Sequence, residues 1–283
     1  MRFGVLILPD ASWSVVGARW QSAERMGFDH AWTYDHLTWR SLRDGPWFAA
    51  MPSLVAAAGA TSRIRLGTLV ASPTFRHPVT FAKELMTLDD MSDGRMSAGI
   101  GAGGDGFDAT AVRTVAWSRR ERTERFEEFV VMLDRLLTEP ATSFDGRYYV
   151  AHEARAIPGC RQRPRLPFAI AATGPRGMRL AARFGSAWVA SDSRGAGRDL
   201  VERLAEVCAA EGRDPGSLDR LVLVGHRERP LASVEAFRDV AGRYRDAGFS
   251  DLVVHWPRPD EPFAANMDVL ERVAAEVLGG SVP

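Results

Sequence analysis

Short apolar runs alternate along this chain with longer stretches of helical spacing, and turn residues separate the two. The clearest example spans 64–104. Ile64 to Ala71 is rich in Leu and Val, long enough for a buried strand and too short for a typical helix. Pro73, His77 and Pro78 interrupt it, and Pro78 suits the first position of a helix. Phe81, Leu85 and Leu88, with Ala82 and Met86 beside them, then repeat at helical spacing. Asp93-Gly94 signals a tight turn. Arg95 to Ile100 opens a second strand, and Gly99, Gly101, Gly103 and Gly104 leave its end bare. Two strands joined through a helix form a βαβ unit with parallel strands and a right-handed crossover.

The same unit repeats through the chain. Arg2 to Leu8 reads as the first strand, ended by Pro9-Asp10. Val16, Trp20, Ala23 and Gly27 mark one face of the helix after it. Asp29 to Tyr34 is the second strand, and Asp35-His36 follows directly. Trp39 to Trp47 is a loop, and Pro52 to Thr61 an Ala-rich helix. Gly104 to Arg122 is glycine-rich and weakly periodic, so 104–122 reads as a mobile loop over the site. Phe126, Phe129, Val130, Leu133 and Leu137 form a helix stripe. The stretch 143–167, with a turn at Asp145-Gly146, reads as a small insertion. Strands five to eight fall at Leu166–Ala172, Ala187–Ser191, Arg220–Gly225 and Asp251–Trp256. Gly174-Pro175 opens a helix after the fifth, helices at Leu200–Ala210 and Val234–Ala247 follow the sixth and seventh, and Phe263, Met267, Leu270, Ala274 and Val277 mark the last.

Eight strands in strict alternation with helices predict an all-parallel sheet covered by helices, and eight such units close into a (β/α)8 TIM barrel. A doubly wound open sheet is the other arrangement this alternation permits. The length of 283 residues suits a barrel built as a single domain over 1–283. No GxxxxGK[ST] is present, and the glycines at 101–106 precede a loop where a dinucleotide fingerprint would open a helix.

Charge and composition then narrow the partners. Formal net charge is zero, so there is no basic field for nucleic acid or an anionic membrane, and self-association into a homodimer is permitted. No run approaches the length of a membrane span, and the start of the chain reads directly into a strand with no leader pattern. Cys160 and Cys208 have no metal or redox spacing and read as two reduced thiols of a cytoplasmic protein.

In a barrel the chemistry sits at the C-terminal ends of the strands. The candidates are therefore Asp10, Asp35, His36, Ser72, 101–104, Thr173, Gly174, Ser191, His226, Arg227 and His255. The first strand has no histidine pair for a metal, so no metal site is expected. The single lysine, Lys83, lies within a helix and away from any strand end, which excludes Schiff-base chemistry. No pair of carboxylates stands across the later strand ends as a retaining glycosidase needs, and no GxSxG elbow is present. What remains suits an anionic, planar ligand. Thr173-Gly174-Pro175-Arg176-Gly177 begins a helix whose free N–H groups and dipole favour an anion, although an ordinary connecting loop has the same look. Ser191 and Arg194 lie at the neighbouring strand end, and 101–104 lets a ligand pass close to backbone.

At this point the chain resembles the bacterial luciferase-like flavin and deazaflavin oxidoreductases. The resemblance rests on AERMGFDHAWTYDH, RLGTLVASPTFRHP, LDDMSDGRMSAGIGAG, FDGRYY, and AATGPRG followed by WVAS, in that order along nearly the whole chain. It implies a (β/α)8 barrel with its cofactor at the C-terminal mouth. Of the family's two branches, one using reduced FMN and oxygen and the other coenzyme F420, the short chain is more similar to the F420 branch. Carried over, Asp35 and His36 would lie near the deazaflavin ring, Leu69 and Val70 behind it, and Ala102 and Gly103 against the ring or ribityl chain. Thr173, Gly174, Arg176, Gly177, Ser191 and Arg194 would hold the phosphate and lactyl tail. The resemblance also implies a non-prolyl cis peptide at Leu69–Val70.

The activity so implied is hydride transfer from reduced F420 to an electron-poor C=C or C=N bond of a small-molecule or natural-product substrate. His36 is the expected proton donor or stabiliser of developing charge, since a histidine's ordinary pKa of about 6.5 suits both tasks. Asp35 would orient it or bond the ring. Trp39, Trp47, Phe75 and Phe107 would wall the substrate side, where aromatics serve equally as packing, and His226 and His255 are secondary candidates for substrate contact. The family's sugar-phosphate dehydrogenases carry a glutamate after the glycine loop where this chain has Gly104, and their substrate-phosphate lysine has no counterpart, which favours a reductase. Two other readings stay open: an FMN-dependent monooxygenase, and a deazaflavin-binding protein without turnover.

Overall fold

The computed structural model describes residues 1–113, 115–225 and 227–279. Its barrel strands are β1 (Arg2–Leu6), β2 (His30–Thr33), β3 (Arg65–Ala71), β4 (Met96–Gly101), β7 (Phe168–Ala171), β8 (Ala187–Ser191), β9 (Asp219–Leu223) and β10 (Asp251–His255). They close in the order β1-β10-β9-β8-β7-β4-β3-β2, every neighbouring pair parallel. A hairpin, β5 (Ala141–Asp145) and β6 (Val150–Arg155), stands apart as an antiparallel pair. The open doubly wound alternative is thereby set aside.

Strand parity builds two cores. Side chains at successive strand positions point to opposite faces. Val5, Ala31, Leu66, Ile170, Trp188, Val222, Leu252 and Val254 belong to a large outer cluster shared with the helices. Their neighbours Leu6, Trp32, Leu69, Ala169, Val189, Leu221 and Val253 form a separate inner cluster, the filling of the barrel. Two large inward residues of β2 need room on the adjacent strands. A Cβ at Gly4 would strike the His30 imidazole, and one at Gly67 would strike the Trp32 indole. Glycine at both places lets β2 carry a histidine and a tryptophan inward.

The helices are α1 (Trp13–Arg25), α2 (Ala50–Ala60), α3 (Pro78–Met91), α4 (Phe107–Val112), α5 (Arg119–Thr138), α6 (Pro175–Phe184), α7 (Arg198–Ala210), α8 (Val234–Asp246) and α9 (Met267–Val273). Local chemistry sets several starts. Pro78 stands in the first turn of α3, where its missing N–H is harmless, and His77 caps it by accepting from the Val79 amide. Ser118 caps α5 by accepting from the Glu121 amide at 3.2 Å. Phe129, Val130, Leu133, Leu136 and Leu137 of α5 are buried in the outer core.

The structure departs from the sequence expectations in three places. The stretch 104–122 contains α4 and the first turn of α5. Six residues are too few to register as periodicity, so α4 was invisible to the pattern. The stretch 143–167 holds most of the β5–β6 hairpin, whose strands are largely exposed and lack an apolar run. Phe263 does not begin the last helix. It sits in the preceding loop at a positive φ of 71° and packs into the inner core, while α9 starts at Met267 and ends in a π turn at Ala274–Leu278.

Candidate active site at the barrel mouth

The C-terminal ends of the strands gather an aromatic floor, two carboxylate pairs and a set of bare loops. The floor grows out of β2 and β10. Tyr34 and His255, 7% and 5% exposed, meet at 2.8 Å between the Tyr34 hydroxyl and His255 Nε2. His255 Nδ1 lies 3.0 Å from the Val224 carbonyl, which can only accept, so Nδ1 carries the proton and the tyrosine donates to Nε2. Burial pushes the Tyr34 phenol well above its ordinary pKa, so it remains a neutral donor. Phe263 stacks on His255 with centroids 3.4 Å apart, Trp39 packs against both Tyr34 and Phe263, and Trp47 stacks on Trp39 at 6.4 Å.

Asp35 and His36 leave β2 side by side and take different partners. Asp35 is buried, and both of its oxygens accept from Arg76, one of them at 2.8 Å from Nη2. Arg76 Nη1 also reaches Glu84 of α3 at 2.8 Å, so the pair ties the end of β2 to the α3 side of the rim. Its two acidic partners keep the Arg76 guanidinium charged against the penalty of its burial. His36 is oriented from elsewhere. Its Nδ1 pairs with Asp108 Oδ2, and Asp108 Oδ1 accepts from the Leu37 amide at 2.8 Å and the Thr38 amide at 3.4 Å. One carboxylate in the first turn of α4 therefore grips three groups of the loop after β2. The His36 carbonyl accepts from the Trp47 indole at 2.8 Å. Nδ1 is thereby engaged, and the His36 side chain is one-third exposed.

The other expected residues spread around the rim. The Leu69–Val70 peptide is cis, and the β3–β4 register slips between Thr68 and Ala71. Leu69 belongs to the inner core, and Val70 lies half-buried toward Gly101. Gly103 turns with φ of 73° against Thr74 and Ser72, and Ala102 beside it is half-buried. Thr173 and Gly174 are half-buried at the start of α6, and Gly177 packs on Ala172. A Cβ at Gly174 or Gly104 would meet almost nothing, so these backbones border open space. Arg176 turns away to pair with Glu127 of α5, one bond at 2.7 Å. Ser191 bonds the Ser193 hydroxyl at 2.9 Å, and Arg194 is exposed on the turn beyond it. Phe75 is half-buried beside Arg76, and Phe107 lies exposed beneath Arg43. His226 lies outside the described residues. Buried Asp192 accepts from the Gly225 and Arg227 amides at 3.0 Å and secures the loop after β9.

Sequence reading missed Tyr34, Arg76, Asp108 and Phe263. Tyr34 carried a signal in strand parity, two residues beyond inward Trp32. Among the described residues no cluster of three or more His, Cys, Asp or Glu forms a metal site, and no helix is long and apolar enough to cross a membrane.

A closed parallel (β/α)8 barrel with its titratable groups at the C-terminal rim defines a barrel of the enzyme type. The chain belongs to the luciferase-like monooxygenase family, whose model matches residues 1–227. It is 34% identical over 223 residues to an F420-dependent glucose-6-phosphate dehydrogenase of Kineococcus radiotolerans, a match covering 76% of this chain and 65% of that protein. A second protein of that name, from Intrasporangium calvum, is 30% identical over 91% of this chain and 92% of its own length. Among solved structures, an F420-dependent secondary alcohol dehydrogenase in complex with an F420-acetone adduct superimposes with a TM-score of 0.82 at 19% identity, covering 96% of this chain and 97% of that one. That last likeness concerns the fold.

Proposed function

We propose that this chain is an F420-dependent oxidoreductase that moves a hydride between the reduced deazaflavin and an electron-poor C=C or C=N bond of a small-molecule substrate, with His36 managing the proton. The observation that carries the proposal is the His36–Asp108 pair at the mouth, in a chain whose relatives are named for F420. The residues present suit such a group. Gly104 and Gly174 leave the rim bare for a planar ligand, and the first amides of α6 favour a phosphate. When bound, F420 would supply the hydride chemistry.

The chain's own residues do the rest. Asp108 holds Nδ1 of His36, so Nε2 gives a proton to the substrate or hydrogen-bonds the charge that develops there. Trp39, Trp47, Phe263 and the Tyr34–His255 pair exclude water from the floor. Asp35 fixes the rim through Arg76, and its oxygens are committed there. Gly104 stands where the resemblance places a glutamate in the sugar-phosphate dehydrogenases of the family, which supports reduction over sugar-phosphate oxidation.

Parallel equilibrium titration of the purified chain with F420 and FMN tests the proposal. Binding of F420 with hydride transfer to an electrophilic alkene or imine supports it. Micromolar binding of FMN with none for F420, or oxygen uptake with reduced FMN, would overturn it, and tight F420 binding without turnover would reduce the role to binding.

A further inference from the structure

Outside the mouth, one cluster of cations and aromatics is built in a way its protein partners do not complete. Arg113, just past the end of α4, lies with its guanidinium carbon 3.6 Å from the centre of the Trp117 ring, and Arg125 of α5 lies 4.0 Å from the same ring. Arg125 also covers Tyr148 at 4.3 Å, and Arg147 lies 5.1 Å from that ring. The result is a ladder of three guanidiniums alternating with two aromatic rings. It ties the 104–122 stretch to α5 and to the turn of the β5–β6 hairpin.

Two of the ladder's three cations, Arg125 and Arg147, have carboxylate partners. Glu121 bonds Arg125 at 3.0 Å, Glu124 takes Arg120, Arg147 and the Tyr148 hydroxyl, and Glu128 accepts from the amides of residues 147–149. Arg113 donates through Nη2 to the Thr74 carbonyl at 2.7 Å, and among the described residues it forms no ion pair. Its Nη1 is buried without a hydrogen-bond partner, and among the described residues the hydroxyl proton of Tyr149, a residue only 6% exposed, meets no acceptor. Burial pushes the Tyr149 phenol up to about 12, against the charge of Arg125, its hydrogen bond to the phenol oxygen, and the weaker pull of Arg113. Two unmatched donors beside two guanidiniums are costly unless an acceptor arrives. Thr74, which anchors Arg113, lies against Gly103 at the end of β4, so the cluster adjoins the mouth. A groove of about 450 Å³ lined by Glu121, Glu124, Arg147 and Tyr148, among others, meets the ladder at its Tyr148–Arg147 end.

We propose that Arg113 and Tyr149, with Arg125 behind them, form a rim subsite for one oxyanion, a phosphate or carboxylate, carried by the ligand that fills the mouth. The oxyanion accepts from Arg113 Nη1 and from the Tyr149 hydroxyl, and the ladder holds both cations in place before it arrives. The ligand's identity rests on the F420 reading above; the subsite itself does not. Its source is either the cofactor's acidic tail or the substrate.

The test titrates the whole chain with F420 and with the same deazaflavin ring bearing only its ribityl chain. If the tail supplies the oxyanion, Arg113→Gln weakens F420 about 10-fold or more and Tyr149→Phe about 3-fold, as expected for a lost bond to a charged group. Neither variant then changes affinity for the tail-less ring, which also shows that both are folded. If the substrate supplies it, F420 affinity is unchanged, while inorganic phosphate raises the melting temperature of the F420-saturated wild type and not that of Arg113→Gln. Unchanged F420 affinity together with the same response of both proteins to phosphate overturns the subsite. Should neither deazaflavin bind the wild type, the F420 reading fails by itself, and the phosphate comparison on the free protein still decides the subsite.

Discussion

The two ends of the barrel each carry a histidine paired with an aspartate, six positions apart along β2 and the loop after it, and they use the pair in opposite ways. At the N-terminal end His30 is 6% exposed and closed on both sides. Its Nδ1 accepts from the Trp32 indole at 2.7 Å, so Nε2 donates to Asp251 at 3.1 Å. Asp251 also accepts from Arg2 at 2.7 and 2.8 Å and from the Ser250 hydroxyl at 2.6 Å. Burial opposes its charge, but these bonds outweigh burial and hold the carboxyl well below its ordinary range. At the C-terminal end His36 is one-third exposed, only Nδ1 is hydrogen-bonded among the described residues, and its aspartate comes from a six-residue helix at the rim. A satisfied network buried in the barrel stabilises the fold, while an incomplete one at the mouth is available for chemistry.

The comparison can be broken from either end. The largest effect is expected for His36→Ala. Removing a general acid–base group lowers turnover by roughly 10²- to 10⁴-fold, with F420 affinity nearly unchanged. Equal losses in turnover and in cofactor affinity would instead make His36 a binding residue.

Asp251→Asn should do the reverse. Weakening a buried pair costs about 3 kcal/mol, read as a fall in melting temperature, while turnover per folded molecule holds. A loss of turnover without a loss of stability would contradict the division between the two ends. The same aspartate sets a pH dependence. Its folded pKa lies below the unfolded value, so its contribution is fully present above about pH 5 and drains away as pH falls below 4. Chemical denaturation at pH 7, 5 and 3 measures it.

Asp108→Asn keeps the size of the side chain but not the charge opposite His36. Turnover should fall by about 10-fold or more, a part of the His36→Ala loss, and the double variant should be no worse than His36→Ala alone. Additive losses would show that Asp108 acts independently of His36. The smallest effect is expected for Trp47→Phe, which removes one hydrogen bond to the His36 carbonyl. A stability loss of about 1 kcal/mol and a turnover change within a few-fold would follow.

Much of the scaffold was legible in the chain itself. Short apolar runs, helical spacing of apolar residues, proline at helix starts and glycine at turns are local signals, and they placed all eight barrel strands and most helices. The family motifs pointed to the mouth and to the Leu69–Val70 peptide, which is cis. What the pattern could not register was short or exposed: α4, with six residues, and the β5–β6 hairpin, which buries little apolar surface.

The pairings at the site belong to the tertiary structure alone. Sequence adjacency suggested that Asp35 serves His36, yet neighbours at a strand end point to opposite faces. Asp35 therefore turns to Arg76, 41 positions away, and His36 to Asp108, 72 positions away. Arg113 shows the same rule, since Thr74, Trp117 and Arg125 meet it only once the rim is assembled. Residue types and periods along the chain were enough to specify a barrel and to put a histidine at its mouth. Which carboxylate holds that histidine, and which cations lack an acceptor, depends on how loops from different strands close over the barrel. Those distances are set by packing, and no local pattern encodes them.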